Sequence, residues 1–183
     1  MAEPRTLMTA DELLHLPDDG WRYELVAGEL IKMAPAGGEH GYVGNRAQDR
    51  LNTFLKEQGL GGAVFASETG FRIGHDPDTV RAPDVAYVAP ARLEQARVAG
   101  YPDLAPDLVV EVISPGDSAG EVHEKVMEWL AAGTRLIWLL YPRRRSAIVH
   151  RPGGEARVLQ ANDVLDGEPV LPGFACRVGD LFA

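Results

Sequence analysis

DLVVEVISPGDSAGEVHEKVMEWLAAGTRLIWLLYP, from Asp107 to Pro142, holds a strand pattern, a helix pattern and a second strand pattern in succession. The runs DLVVEVI and RLIWLLY are nearly continuous in apolar residues, as expected of strands buried on both faces. Between them, EVHEKVMEWLAAG carries apolar residues at helical spacing, and Ser118 with Glu121 makes a capping-box signature at its start. A crossover helix between two inner strands predicts that the strands are parallel neighbours. One residue breaks the pattern. Glu111 stands among Leu108, Val109, Val110, Val112 and Ile113, where an unpaired carboxylate is costly. Side chains alternate along a strand, so Leu108, Val110 and Val112 share one face and Val109, Glu111 and Ile113 the other. A cation, a metal ion or a raised pKa must compensate Glu111.

Upstream, AVFASETGFRI and DVAYVA read as two further strands. Before them, YVGNRAQDRLNTFLKEQG places Val43, Ala47, Leu51, Phe54 and Leu55 at helical spacing, with Gly59 as a stop. The core order is then helix, three strands, helix, strand, which is a mixed α/β sheet. At the N-terminal side, Thr9 to Leu16 reads as a short helix capped by Thr9 and Glu12, and WRYELVAGELIKMAP as a hairpin around Ala27-Gly28. Beyond Ser146, Pro152-Gly153-Gly154 and Asp166-Gly167 signal a further hairpin and an edge segment. The expectation is a single domain over 1–183, with an N-terminal helix and hairpin (1–38), a core (39–142) and a C-terminal hairpin and tail (143–183).

A chain of 183 residues is long enough for one domain with a real core. Its formal charge of −9 argues against a protein that coats nucleic acid through a general positive field. A small basic groove, or a metal ion supplying the positive charge, remains compatible with it. The apolar stretches are too short to span a bilayer, and MAEPRTLMTADELLHLP has no signal-peptide core. Cys176 is the single cysteine, so no intrachain disulfide forms, and a cytoplasmic location is the expectation. The five histidines match no zinc spacing, and neither a phosphate-binding glycine loop nor a serine nucleophile elbow is present.

Two further residues bear on Glu111. Asp84 opens the strand DVAYV just after Pro83; if that strand pairs with DLVVEVI, Asp84 and Glu111 project from one face near each other. Lys125 borders the sheet-facing stripe of Val122, Val126, Trp129, Leu130 and Gly133, within reach of the strand end that carries Glu111. Each also has a plainer role: a structural ion pair for Glu111, a turn for Asp84, a solvated surface site for Lys125. Taken together, two carboxylates and a lysine at a sheet end suit Mg²⁺, which binds through one or two carboxylates plus substrate phosphates. The lysine would orient or deprotonate an attacking water and offset charge on the pentavalent phosphorane.

RYELVAGEL, RAPDVAYV, DLVVEVISP, the Lys125 helix followed by AAG, RLIWLLYP and LPGFACRVGDLF appear in this order. Over Thr9 to Phe182 the chain resembles the Uma-two group of "putative restriction endonucleases", within the PD-(D/E)XK nuclease superfamily. The resemblance implies a restriction-endonuclease-like core and metal-dependent hydrolysis of DNA phosphodiesters, with Mg²⁺ as cofactor and Mn²⁺ as a substitute. By motif position, Asp84 corresponds to the PD aspartate and Glu111 to the second acid. The motif lysine two residues on is replaced by Ile113, and resembles one moved to the following helix, Lys125. Glu121 stands where an Asp is usual, and Trp129 where a Tyr is usual, keeping an aromatic but losing a hydroxyl. Glu24 lies at a family motif position. Glu68, expected on a core strand, ranks ahead of Glu24 as a further metal ligand, and His40 is a phosphate-contact candidate. Arg46, Arg50, Arg143, Arg144 and Arg145 are the candidates for DNA contact, and a homodimer would suit a double-strand cutter. An alternative is a nuclease-like fold that no longer cuts and serves as a binding or regulatory module, which the charge of −9 favours. A glycosidase using Glu111 and Glu68 is weaker, because it needs aromatic sugar platforms and only 7% of residues are aromatic.

Overall fold

The computed structural model describes residues 7–183. In chain order it contains helix α1 (Ala10–Leu14), strands β1 (Arg22–Val26) and β2 (Glu29–Met33), and helix α2 (Gly38–Glu57). Strands β3 (Ala63–Ala66), β4 (Phe71–Gly74), β5 (Thr79–Arg81) and β6 (Val85–Val88) follow, then a short helix α3 (Leu93–Ala96). The remainder is β7 (Leu108–Val112), α4 (Ala119–Ala131), β8 (Leu136–Tyr141), β9 (Ser146–Arg151), β10 (Glu155–Leu159), β11 (Val164–Asp166) and β12 (Ala175–Arg177).

The central sheet has six strands in the order β10-β9-β8-β7-β6-β3. As the crossover helix requires, β7 and β8 are parallel, Glu111 lying opposite Leu139. The alternation read from the sequence also holds. Leu108, Val110 and Val112 join a core with Val43, Ala47, Leu51 and Leu55 of α2. Val109 joins a second core on the opposite face with Val126 and Trp129 of α4. Two amphipathic helices thus cover the two faces of one sheet. Both predicted capping boxes form, Thr9 with Glu12 and Ser118 with Glu121.

Several expectations need correction. AVFASETGFRI is not one strand: it breaks at a turn over Ser67 and Glu68, so β3 lies at the edge of the central sheet while β4 belongs to another. That second sheet, ordered β2-β1-β5-β4, joins the N-terminal hairpin to the segment just before β6. The hairpin is therefore not an appendage, since Leu25 packs in register with Val80. Glu68 sits exposed in the turn instead of on a core strand, because a strand that changes sheet must leave both at a bend. Helix α2 also starts earlier than its apolar spacing indicates, at Gly38 within the run PAGGEHG, which places His40 in its first turn. The C-terminal hairpin is real, with Glu155 opposite Arg151, but it extends the central sheet beyond β8. Among the described residues no helix is long and apolar enough to cross a membrane.

Leu108→Ala removes a fully buried side chain between β7 and α2, and is expected to cost about 3 kcal/mol, whereas Ser118→Ala at the exposed cap should cost about 1 kcal/mol. Urea denaturation of the two variants checks the ratio.

Candidate functional site

The residues singled out on Glu111 meet at one end of the central sheet. In the antiparallel β6–β7 ladder Val85 faces Val110 and Ala86 faces Val109, so the same register carried one residue further sets Asp84 opposite Glu111. Positions directly opposite on one face have Cβ atoms about 5 Å apart. Asp84 is tied to the strand end by the backbone N–H of Val112, which donates to its Oδ2 at 2.7 Å. His40, brought in by the first turn of α2, lies with Nε2 3.2 Å from the same oxygen.

Glu111 is 8% exposed, and its compensation is now explicit. The Lys125 ammonium stands 3.0 Å from Oε1 and 3.1 Å from Oε2, and the Trp129 indole N–H donates to Oε1 at 3.1 Å. The indole thus supplies a donor where the sequence showed only the loss of a tyrosine hydroxyl. Lys125 and Trp129 are four apart on α4, so both fall on one helix face above the carboxylate. Lys125 also lies 3.3 Å from Oε1 of Glu24.

Glu24 opens a buried ion network that sequence reading missed. The backbone N–H of Ala82 donates to its Oε1 at 2.9 Å, and Arg81 bonds its Oε2 at 2.7 Å while its Nε reaches Glu128 at 2.7 Å. No spacing rule points to Arg81 or Glu128. The only signal is that RAPD places an arginine three residues before Asp84 on a strand whose sheet membership is tertiary.

Electrostatics separates the two acids. Burial raises the Glu24 pKa, but Lys125 and Arg81 outweigh it and hold the carboxyl below its usual range. For Glu111, burial raises the pKa, Lys125 opposes it, and Asp84 and Glu24 reinforce it, leaving the group at about 7. For Lys125, burial favours the neutral amine, but Glu111 and Glu24 prevail and keep it charged above the ordinary lysine range. A lysine so held is a donor and a positive charge at neutral pH; it has no lone pair with which to take a proton. At His40 the Asp84 bond raises the pKa, partial burial opposes it, and Asp117 and Glu111 add to the rise.

The other candidates fall elsewhere. Glu121 is exposed and occupied by its cap, with Oε2 bonded to the Ser118 backbone and hydroxyl. Arg46 donates to the Asp180 carbonyl at 3.1 Å, and Arg50 stands 3.8 Å from the Asp180 carboxylate, so both are turned to the C-terminal segment. Arg143, Arg144 and Arg145 are exposed just beyond β8, at the sheet end that carries Glu111, and Arg145 donates to the Gly179 carbonyl at 3.3 Å.

Asp84 and Glu111 are oxygen donors at adjacent positions, a set that fits a hard divalent cation better than a thiophilic one. Among the described residues no group of three or more His, Cys, Asp or Glu side chains is arranged to hold a metal ion. Two carboxylates nevertheless match the sparse protein ligation that Mg²⁺ accepts when phosphate and water complete its shell. Because Lys125 holds both Glu111 oxygens, an entering cation would have to displace part of that bonding. A cavity of about 460 Å³ lies against Ala10, Leu14, Arg72 and Tyr101, and none of Asp84, Glu111 and Lys125 lines it.

Glu111 holds a proton in the native state up to about pH 7 that the unfolded chain releases near 4.5, so stability should fall as pH rises across that window. Glu111→Gln is expected to flatten this slope. Lys125→Ala leaves two buried acids without their shared cation and should cost about 3 kcal/mol at pH 8 and less at pH 5, where Glu111 takes a proton instead. Thermal or urea melts at the two pH values read both effects.

The comparisons agree with this frame. No functionally curated protein matches the chain. A solved structure described as a putative nuclease from Anabaena variabilis superposes with a TM-score of 0.80 at 24% identity, covering 96% of this chain and 97% of that one, a likeness that establishes the fold. The family model described as "Putative restriction endonuclease" matches residues 10–179. Nearly the whole chain, including every residue of the acid–lysine cluster, lies within that match, and the protein belongs to the Uma2 family.

Proposed function

We propose that the protein is a Mg²⁺-dependent endonuclease that hydrolyses DNA phosphodiesters at Asp84, Glu111 and Lys125. The observation that carries this reading is the adjacency of Asp84 and Glu111 across the β6–β7 ladder with a buried ammonium on the second acid. Family membership and the nuclease fold support it. Asp84 and Glu111 would hold the cation, and Mn²⁺ would substitute for Mg²⁺, since both take oxygen ligands. When bound, the cation supplies the positive charge that a phosphate diester needs at a site with two acids.

The chain's own residues have separable tasks. Hydrolysis adds water across one P–O ester bond: the water oxygen bonds phosphorus, the bond to the departing sugar oxygen breaks, and that oxygen gains a proton. Lys125, held between Glu111 and Glu24, would turn one N–H from a carboxylate oxygen to the attacking water or a phosphoryl oxygen and stabilise the added negative charge. With its ammonium held charged, the lysine orients water and leaves deprotonation to another acceptor. Glu24 and Arg81 act as positioning residues through Lys125. His40 fixes Asp84 and, when protonated, offers a donor to phosphate. The Arg143–Arg145 cluster is the candidate contact for the DNA backbone, and a homodimer would bring two sites to the two strands of a duplex.

One observation favours the runner-up reading of a non-cutting binding module. Lys125 and Trp129 already satisfy Glu111 without a metal. Plasmid cleavage in Mg²⁺ and in Mn²⁺ separates the two. Wild type is expected to nick or linearise plasmid, Asp84→Asn and Glu111→Gln to lose at least about a hundredfold in rate, and Lys125→Ala to lose a comparable factor. Metal titration of the wild type should show one site that Asp84→Asn removes. No cleavage and no metal binding by the wild type would leave the module reading standing.

A further inference from the structure

A second feature adjoins the acid pair. Carried across the sheet, the register forms one row on the α4 face: Glu111 faces Leu139, Leu139 faces Ile148, and Ile148 faces Val158. Exposure rises along this row, from Leu139 at 3% to Val158 at 60%. Between this row and α4 lies a cavity of about 240 Å³, lined on the sheet side by Leu139, Ile148 and Tyr141 and on the helix side by Val122 and Val126. Ile113, two residues along β7 from Glu111 on the same face, lines it as well, about 7 Å from the carboxylate's strand position. Val122 and Val126 flank Lys125 on α4. Wall and site therefore share residues' immediate neighbours.

The cavity's chemistry is specific. Its lining is apolar at Ile113, Val122, Val126, Leu139 and Ile148, and polar at Tyr141, His123, His150 and Asp117. Burial and the neighbouring His123 hold His150 below the usual histidine range, so at neutral pH its ring offers one donor and one acceptor. The volume is below the roughly 300–1,000 Å³ that drug-sized ligands occupy, and suits a single ring system. A neutral, planar group with hydrogen-bonding edges matches such a slot, and an anion does not, beside Asp117 and the acid pair.

Resting on the nuclease reading above, we propose that this cavity receives one nucleobase, unstacked from the strand whose phosphate lies at Asp84 and Glu111. Enzymes that accept an extruded base hold it between apolar or aromatic side chains and read its edge by hydrogen bonds. Here the strand row supplies the apolar side and Tyr141 with the two histidines the edge. Because unpairing a base is least costly when the strand is already single or locally opened, such DNA binds more tightly than intact duplex, in which one base must first be extruded before cleavage.

The test uses the full chain with Ca²⁺ in place of Mg²⁺ and a fluorescein-labelled single-stranded dodecamer against its blunt duplex, read by anisotropy. Wild type should bind the single strand roughly tenfold more tightly than the duplex, the order of one base-stacking contact. Ile148→Trp, which fills the slot, should abolish that preference while leaving Mn²⁺ binding and the circular dichroism spectrum as in wild type. If that variant does not fold, Tyr141→Leu in the lining carries the same comparison. Equal wild-type affinity for both DNAs, or an unchanged preference in the filled variant, overturns the pocket; cleavage in Mg²⁺ retained alongside either result leaves the nuclease reading intact. Absence of binding to either DNA overturns both.

Discussion

A buried carboxylate has to be answered from within the fold, and the Glu111–Lys125 pair is that answer here. The ammonium sits within hydrogen-bond distance of both carboxylate oxygens, and the Trp129 indole takes a further contact on one of them. Separating the pair would strand charge in a protein interior, which is far more costly than breaking an exposed ion pair. This requirement links the strand β7, which supplies the acid, to the helix α4, which supplies both donors. It also ties in β1, whose Glu24 shares the lysine. Three segments that are remote in sequence are held in one arrangement by one charge balance.

The sheet makes that balance useful. A parallel β7–β8 pair needs a crossover, the crossover is α4, and its first half lies over the strand ends where the sheet's polar groups collect. The antiparallel β6 then sets Asp84 beside Glu111. The outcome is an acid pair with the Lys125 ammonium on Glu111 and the His40 imidazole on Asp84. With Lys125 and Trp129 on Glu111, the carboxylate is satisfied without a ligand, and on the reading proposed above a divalent ion would enter by exchanging bonds instead of by filling a void. The raised pKa of Glu111 has the same origin as its placement, since both follow from putting an acid among Val109, Val112 and Trp129.

The overall acidity of the chain fits this economy of positive charge. Of 18 basic residues, several are committed to internal partners: Arg81, beside the site, to Glu24 and Glu128, and Arg46 and Arg50, away from it, to the C-terminal segment. The exposed Arg143–Arg145 cluster lies at the sheet end that carries Glu111, so on the proposed reading attraction for a polyanion would be local and would not spread over the surface. If the proposed cavity takes a base, the ligand would be held by its bases as much as by its phosphates.

Capping boxes at Thr9 and Ser118, the α2 and α4 stripes, the parallel strands and the oddity of Glu111 were all legible along the chain, because each depends on spacings of two to four residues and on local hydrogen bonds. So was the set of Asp84, Glu111 and Lys125, since alternation and helical periodicity restrict which face each can occupy. Where AVFASETGFRI leaves one sheet for another was not legible, and with it went the places of Glu68 and Glu24. A strand's choice of sheet is made by the partner that completes its hydrogen bonds, and that partner lies tens of residues away. Arg81 and Glu128 were invisible for the same reason: a buried ion network forms from whichever charges the tertiary fold brings within about 3 Å, and one-dimensional spacing carries no trace of that distance.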